Sequence, residues 1–163
     1  MELYARYRQL NADFSWIGLG REGGARYFCT PIGAETIGWD EAIQYCFIPG
    51  FGEMVFAVNP ENFGGEYVYP LAETFRDFLG LILAAGGTNP LQQIILFDEA
   101  AYENFVSSPD EVAYTQREEV QEVLALLQRE LGVEPLADPF HYVKRLQADF
   151  DYRKIPFSEE YFE

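Results

Sequence analysis

Apolar positions change their period along this chain, and the change divides it in two. Leu3, Tyr7 and Leu10 recur at helical spacing and predict a short helix ending near Asn11. Phe14–Leu19 and Ala25–Thr30 then read as two strands around Arg21-Glu22-Gly23-Gly24, a hairpin turn. Gln44–Ile48 and Glu53–Val58 form a stronger pair, dense in Phe, Val, Ile and Tyr and joined by the turn chemistry of Pro49-Gly50-Phe51-Gly52. In the second of these, Met54, Phe56 and Val58 face one way and Val55 and Ala57 the other. A strand apolar on both faces belongs inside a sheet. A short strand, Glu66–Tyr69, follows the loop Asn59–Gly65 and is expected to stop at Pro70.

From Leu71 the period becomes 3.6. Leu71, Phe75, Phe78, Leu79, Ile82 and Leu83 make one stripe, opposed by Glu73, Arg76 and Asp77, and Gly86-Gly87 can close the helix. Thr88-Asn89-Pro90 opens the next helical stretch, with an imperfect stripe that predicts a kink near Asp98. Ser108-Pro109-Asp110-Glu111 combines an N-cap, a proline at the first helical position and the Glu of a capping box. Val120, Val123, Leu124, Leu127 and Leu131 continue as one buried stripe closed by Gly132. Asp138-Pro139 caps a last helix with Tyr142, Val143, Leu146 and Phe150 inward, and the aromatic tail Ile155–Phe162 is expected to dock on the body. Residues 1–70 are sheet-rich and 71–163 helical, so the expectation is a single α+β domain. Its 163 residues fit one domain.

Charge sharpens the picture. The chain holds 27 acids against 11 Lys and Arg, a formal net charge of −16. Residues 31–110 hold twelve of the acids and Arg76 as their one cation. Nucleic-acid affinity depends on cations that release condensed counterions, so direct DNA or RNA binding is not expected, nor is adhesion to an anionic membrane. No window reaches the ~18–20 apolar residues of a membrane span, and no signal-peptide pattern opens the chain. A cytoplasmic location is therefore expected. An acidic surface serves solubility in general, and it also attracts a basic protein.

Candidate chemistry is sparse. Cys29 and Cys46 lack metal-ligand spacing and read as small buried hydrophobes. With His141 the only histidine, neither a metal centre nor a cofactor is expected, and His141 itself reads as a surface or capping residue. Gly18-Leu19-Gly20-Arg21-Glu22-Gly23 fits G-x-G-x-x-G, but strand-like residues follow it where a dinucleotide site needs a helix. Among 27 acids, adjacent carboxylate pairs are commonplace and give no glycosidase signal. Trp39 is open to two readings, a core residue or a binding hot spot. If a partner-binding surface exists, the residues expected to form it are Trp39, Asp40 and Glu41 with Glu53, Glu61 and Glu66 at strand ends.

The stretch from Trp39 to Ala85 resembles the SUKH superfamily, which includes the yeast cell-wall glucan-synthesis regulator and many bacterial immunity proteins. The resemblance lies in Tyr45-Cys46-Phe47-Ile48, Met54-Val55-Phe56-Ala57-Val58-Asn59-Pro60, Tyr67-Val68-Tyr69-Pro70-Leu71-Ala72 and the segment Thr74-Phe75-Arg76-Asp77-Phe78-Leu79. It implies a bent, mainly antiparallel sheet with helices packed on it. It also implies a non-catalytic binding module, commonly one that neutralises a toxin, and the acidic charge suits a basic, nuclease-like toxin domain. Two alternatives stand beside this: a regulatory scaffold for a cellular protein, and a hydrolase whose carboxylates converge only in three dimensions.

Overall fold

The computed structural model of the protein describes residues 1–24, 26–62 and 65–162. Its centre is a four-stranded antiparallel meander, β1 (Glu35–Asp40), β2 (Ile43–Phe47), β3 (Val55–Val58) and β4 (Val68–Ala72), in the order β1-β2-β3-β4. The β2–β3 hairpin forms where the residues between Gln44 and Val58 predict it, with Phe47 opposite Val55 and Gln44 opposite Val58. β3 is an interior strand, and all four of its residues are buried.

The two faces of the sheet feed different cores, as the alternation of a pleated strand requires. Tyr45, Phe47, Val55, Ala57, Tyr69 and Leu71 join the large cluster that extends from Tyr4 to Val143. Cys46, Ile48, Phe56, Val58 and Val68 face the other way and meet Cys29 and Ile155. The helices lie on the first face: α1 (Glu2–Arg8), α2 (Phe75–Ala85) and α7 (Pro139–Asp149) with α6 (Glu118–Leu131) behind them. The C-terminal tail covers the second. There Ile32 N–H donates to the Pro156 carbonyl at 2.8 Å, and Phe157 stacks on Tyr161 with ring centroids 3.8 Å apart. Tail docking is thus observed, although Phe162 is 74% exposed.

The N-terminal hairpin does not form. Phe14–Ile17 is a 3-10 helix, because the Asp13 carboxylate accepts from Ser15 N–H and Gly18, at φ 79°, ends the turn. The only sheet-like contact nearby among the described residues is a bridge just past the expected strand, Gly20 with Trp39. Of the expected partner strand, Tyr27–Thr30 closes a turn, Thr30 N–H donating to the Tyr27 carbonyl at 3.1 Å, and Ala25 lies outside the described residues.

Pro70 does not stop β4. It pairs with Phe56 on the sheet's edge strand, where a missing N–H costs no ladder bond, and its carbonyl accepts from Gln147 Nε2 at 3.1 Å. Leu71 and Ala72 therefore belong to the strand, and α2 starts at Phe75, where the Thr74 hydroxyl accepts from Asp77 N–H.

Beyond α2, the expected kink is a break. α3 (Asn89–Gln93) runs into a 3-10 turn, Phe97 is extended, and Asp98 caps α4 (Glu99–Val106). The Ser108 cap starts α5 (Pro109–Thr115), which ends before Arg117, so α5 and α6 are two helices where one stripe suggested a continuous run. Phe150, expected inward on α7, is instead the extended residue that ends it.

Candidate functional site

The β1–β2 turn has only two residues, since Asp40 pairs with Ile43. Glu41, the first of them, sits at φ 53°, the left-handed region that a side chain seldom occupies. This turn faces the α2–α3 connection, and between them opens a cavity of about 630 Å³. Its other walls are the 3-10 helix at Trp16 to Gly18, Phe105, and the start of α5 with Asp110, Glu111 and Tyr114.

Among the described residues, four carboxylates line this cavity, Asp40, Glu41, Asp110 and Glu111, and no Lys, Arg or His does. Thr88 holds the walls together. It is fully buried, its N–H donates to the Ile17 carbonyl at 3.0 Å, and its hydroxyl faces the Gly18 carbonyl at 3.1 Å and the Asp40 carboxylate at 3.4 Å. Gly18 must be glycine, because a Cβ there would lie 1.8 Å from the Thr88 hydroxyl oxygen. Tyr114 pins α5 by donating its phenol to the Trp16 carbonyl at 2.7 Å.

Burial raises the pKa of Asp40, and the neighbouring Glu41 charge raises it further, against the opposing bond from Thr88. Burial alone raises Glu111. The Tyr45 phenol is fully buried, and burial followed by the Asp40 charge pushes its pKa far up, against an opposing bond with Thr88. The cavity thus holds carboxyls that gain from a cation; Arg117 lies against its Trp16 wall, over the ring at 4.8 Å, but its ion pair is with Glu119. The ion pairs among the described residues engage Glu160, Glu119, Glu130 and Asp151, with Asp138 and Glu99 on His141; none involves a cavity carboxylate.

The six expected residues separate into groups. Asp40 and Glu41 line the cavity. Glu61 and Glu66 are exposed at the same end of the sheet, following β3 and preceding β4, but do not line it. Glu53 is at the opposite end, beside the β2–β3 turn. Trp39 is 9% exposed and alternates away from Asp40; its indole packs on Gly23 and edge-on to Tyr27 at 6.1 Å. Asp110 and Glu111 were legible in the sequence only as capping residues. What makes them site residues is the seating of α5 against the turn after α2.

The remaining motifs have structural roles. The His141 ring lies 2.7 Å from Asp138 and 3.4 Å from Glu99 on the surface, and hydrogen bonding to Asp138 chiefly raises its pKa. Cys29 and Cys46 are buried free thiols pushed up to about 11 and about 12 by desolvation. In G-x-G-x-x-G, Gly18 ends a 3-10 turn and Gly20 bridges β1, so no helix N-terminus stands where a pyrophosphate would bind. Among the described residues no group of three or more His, Cys, Asp or Glu could hold a metal ion, and no single helix is long and apolar enough to cross a membrane. Comparison with protein-family models, curated proteins and solved structures finds no match.

Proposed function

We propose that this protein is a non-catalytic binding module that captures a basic protein through the acidic end of its sheet. In keeping with the SUKH resemblance of its central segment, we place it with immunity-type proteins and expect the partner to be a nuclease-like toxin domain. The observation that carries the reading is the convergence of Asp40, Glu41, Asp110 and Glu111 on one cavity with no cation in its walls among the described residues. A Lys or Arg side chain entering there lays its apolar stem along Trp16, Phe105 and Tyr114 and sets its charge among the carboxylates. Such complementarity also speeds encounter. A toxin that grips phosphates needs a basic groove, and an acidic surface occupies that groove in the substrate's place.

A second reading has one observation in its favour. Asp40 and Glu111 share a cavity and both are raised, a condition under which a carboxyl can serve as a general acid. Acid–base pairs, however, need pKa values driven apart, and these two are driven the same way. Binding is therefore the better account of the site.

Pull-down from a native lysate tests it, with the Asp40→Asn/Glu111→Gln double variant as control. The expected result is a basic protein with nuclease activity that elutes with salt, is inhibited in the complex, and is not retained by the variant. Retention by the variant equal to wild type, or a captured protein whose activity survives in the complex, would overturn the reading.

A further inference from the structure

A second cavity, of about 650 Å³, lies on the other side of β1 and has the opposite charge character. Arg8 from α1 and Arg21 from the glycine-containing loop line it, with Glu35 the one carboxylate in its walls among the described residues. Neither arginine forms an ion pair among the described residues, in a chain of net charge −16. Their guanidinium groups are held in place by other means. Arg21 donates to the Tyr7 carbonyl at 3.2 Å and lies over the Phe14 ring at 4.7 Å, while Arg8 lies over Tyr4 at 5.9 Å. Both act on one point: the Tyr4 phenol, raised by burial and then by Glu35, is drawn down by Arg8 and by Arg21. The loop closes onto β1 because Gly23 has no side chain; a Cβ there would lie 1.9 Å from the Trp39 indole. Thus the run that fails as a dinucleotide fingerprint places Arg21 opposite Arg8.

We infer that this cavity binds a doubly charged oxyanion, the phosphate of a small phosphomonoester or inorganic phosphate itself, between Arg8 and Arg21. A planar guanidinium offers paired N–H donors that match two phosphate oxygens, and Arg21 uses one of its donors on Tyr7 and keeps the others. Glu35 sets the charge requirement. It lowers the formal charge of the walls without pairing with either arginine, so a dianion gains more than a monoanion from the two guanidinium groups. The remaining acids do not forbid this, since at physiological salt charges beyond about 8 Å are largely screened. The site stands on observations separate from the acidic cavity and does not depend on the partner proposed there.

Titration of the whole protein with inorganic phosphate and with glycerol 3-phosphate, at constant ionic strength against chloride, tests the assignment. Calorimetry and Trp39 emission in a Trp16→Phe background give two readouts. The expected result is saturable one-to-one binding that Arg8→Gln weakens roughly tenfold or more and that Arg153→Gln, on an exposed residue elsewhere, leaves unchanged. The Arg8 side chain makes no hydrogen bond among the described residues, so its variant reports the site even if Arg21→Gln disturbs the loop. Tighter binding of the ester supports an organic phosphate as the ligand, and equal binding supports free phosphate. Absence of saturable binding to the wild type, or binding that Arg8→Gln leaves unchanged, would overturn the inference.

Discussion

Glu41 is the one non-glycine among the described residues with positive φ, and it stands at the mouth of the acidic cavity. Side chains in that conformation cost about 1–2 kcal/mol, while glycine loses about 0.5–1 kcal/mol more backbone freedom on folding. Glu41→Gly is therefore expected to stabilise the fold by roughly 0.5 kcal/mol in urea unfolding, while weakening capture of the basic partner proposed above. Gain of stability with loss of binding marks a residue kept for its charge. Asp40 and Glu111 give a pH signature. Each has a raised pKa in the fold, so the folded state holds protons more tightly than the unfolded chain and is favoured at low pH. That contribution is complete below the unfolded values of about 4 and is lost as pH rises through the raised folded ones. Urea midpoints of wild type and the Asp40→Asn/Glu111→Gln variant, followed between pH 3 and 7, are expected to diverge in that sense, wild type losing stability relative to the variant as pH rises. Glu119, Asp138 and Asp151, whose pKa values are lowered, lose their contribution as pH falls, but equally in both proteins.

At the scale of elements, α5 is the least anchored wall. It buries no residue and is held by the Ser108 cap and the Tyr114 bond to Trp16. Tyr114→Phe is expected to raise amide exchange across α5 while leaving α6, with five buried residues, protected. Equal protection in α5 would mean that the tyrosine does not seat it. The elements also show what a sequence reveals and what it hides. The β2–β3 hairpin was legible because its signal is local: dense β-branched and aromatic runs on both sides of a Pro-Gly turn. Gly86, Ser108 and Gly132 cap where their chemistry says they should. Phe14–Leu19 was misread as a strand because a short apolar run suits several conformations, and the Asp13 side chain decided for a 3-10 turn. Leu71 was assigned to the helix because the apolar stripe crosses from β4 into α2 without a change of composition.

At the scale of the whole molecule, the α+β architecture followed from the order of the periodicities. The site did not, because it is made by contacts distant in sequence. Thr88 meets Gly18 across 70 residues, and Tyr114 meets Trp16 across 98. Asp40 and Glu41 were found by their charge, whereas Asp110 and Glu111 became site residues only when α5 packed beside the α2–α3 turn. The same packing puts four carboxylates around one opening and turns Trp39 away from it. Because Trp16 lines this cavity, its emission in a Trp39→Phe background reports a cation entering. Titration with a lysine-rich peptide measures the central claim. The account predicts a saturable change that weakens with added salt, disappears in Asp40→Asn/Glu111→Gln, and is not produced by a glutamate-rich peptide. A silent titration, or a response that the double variant retains in full, would contradict it.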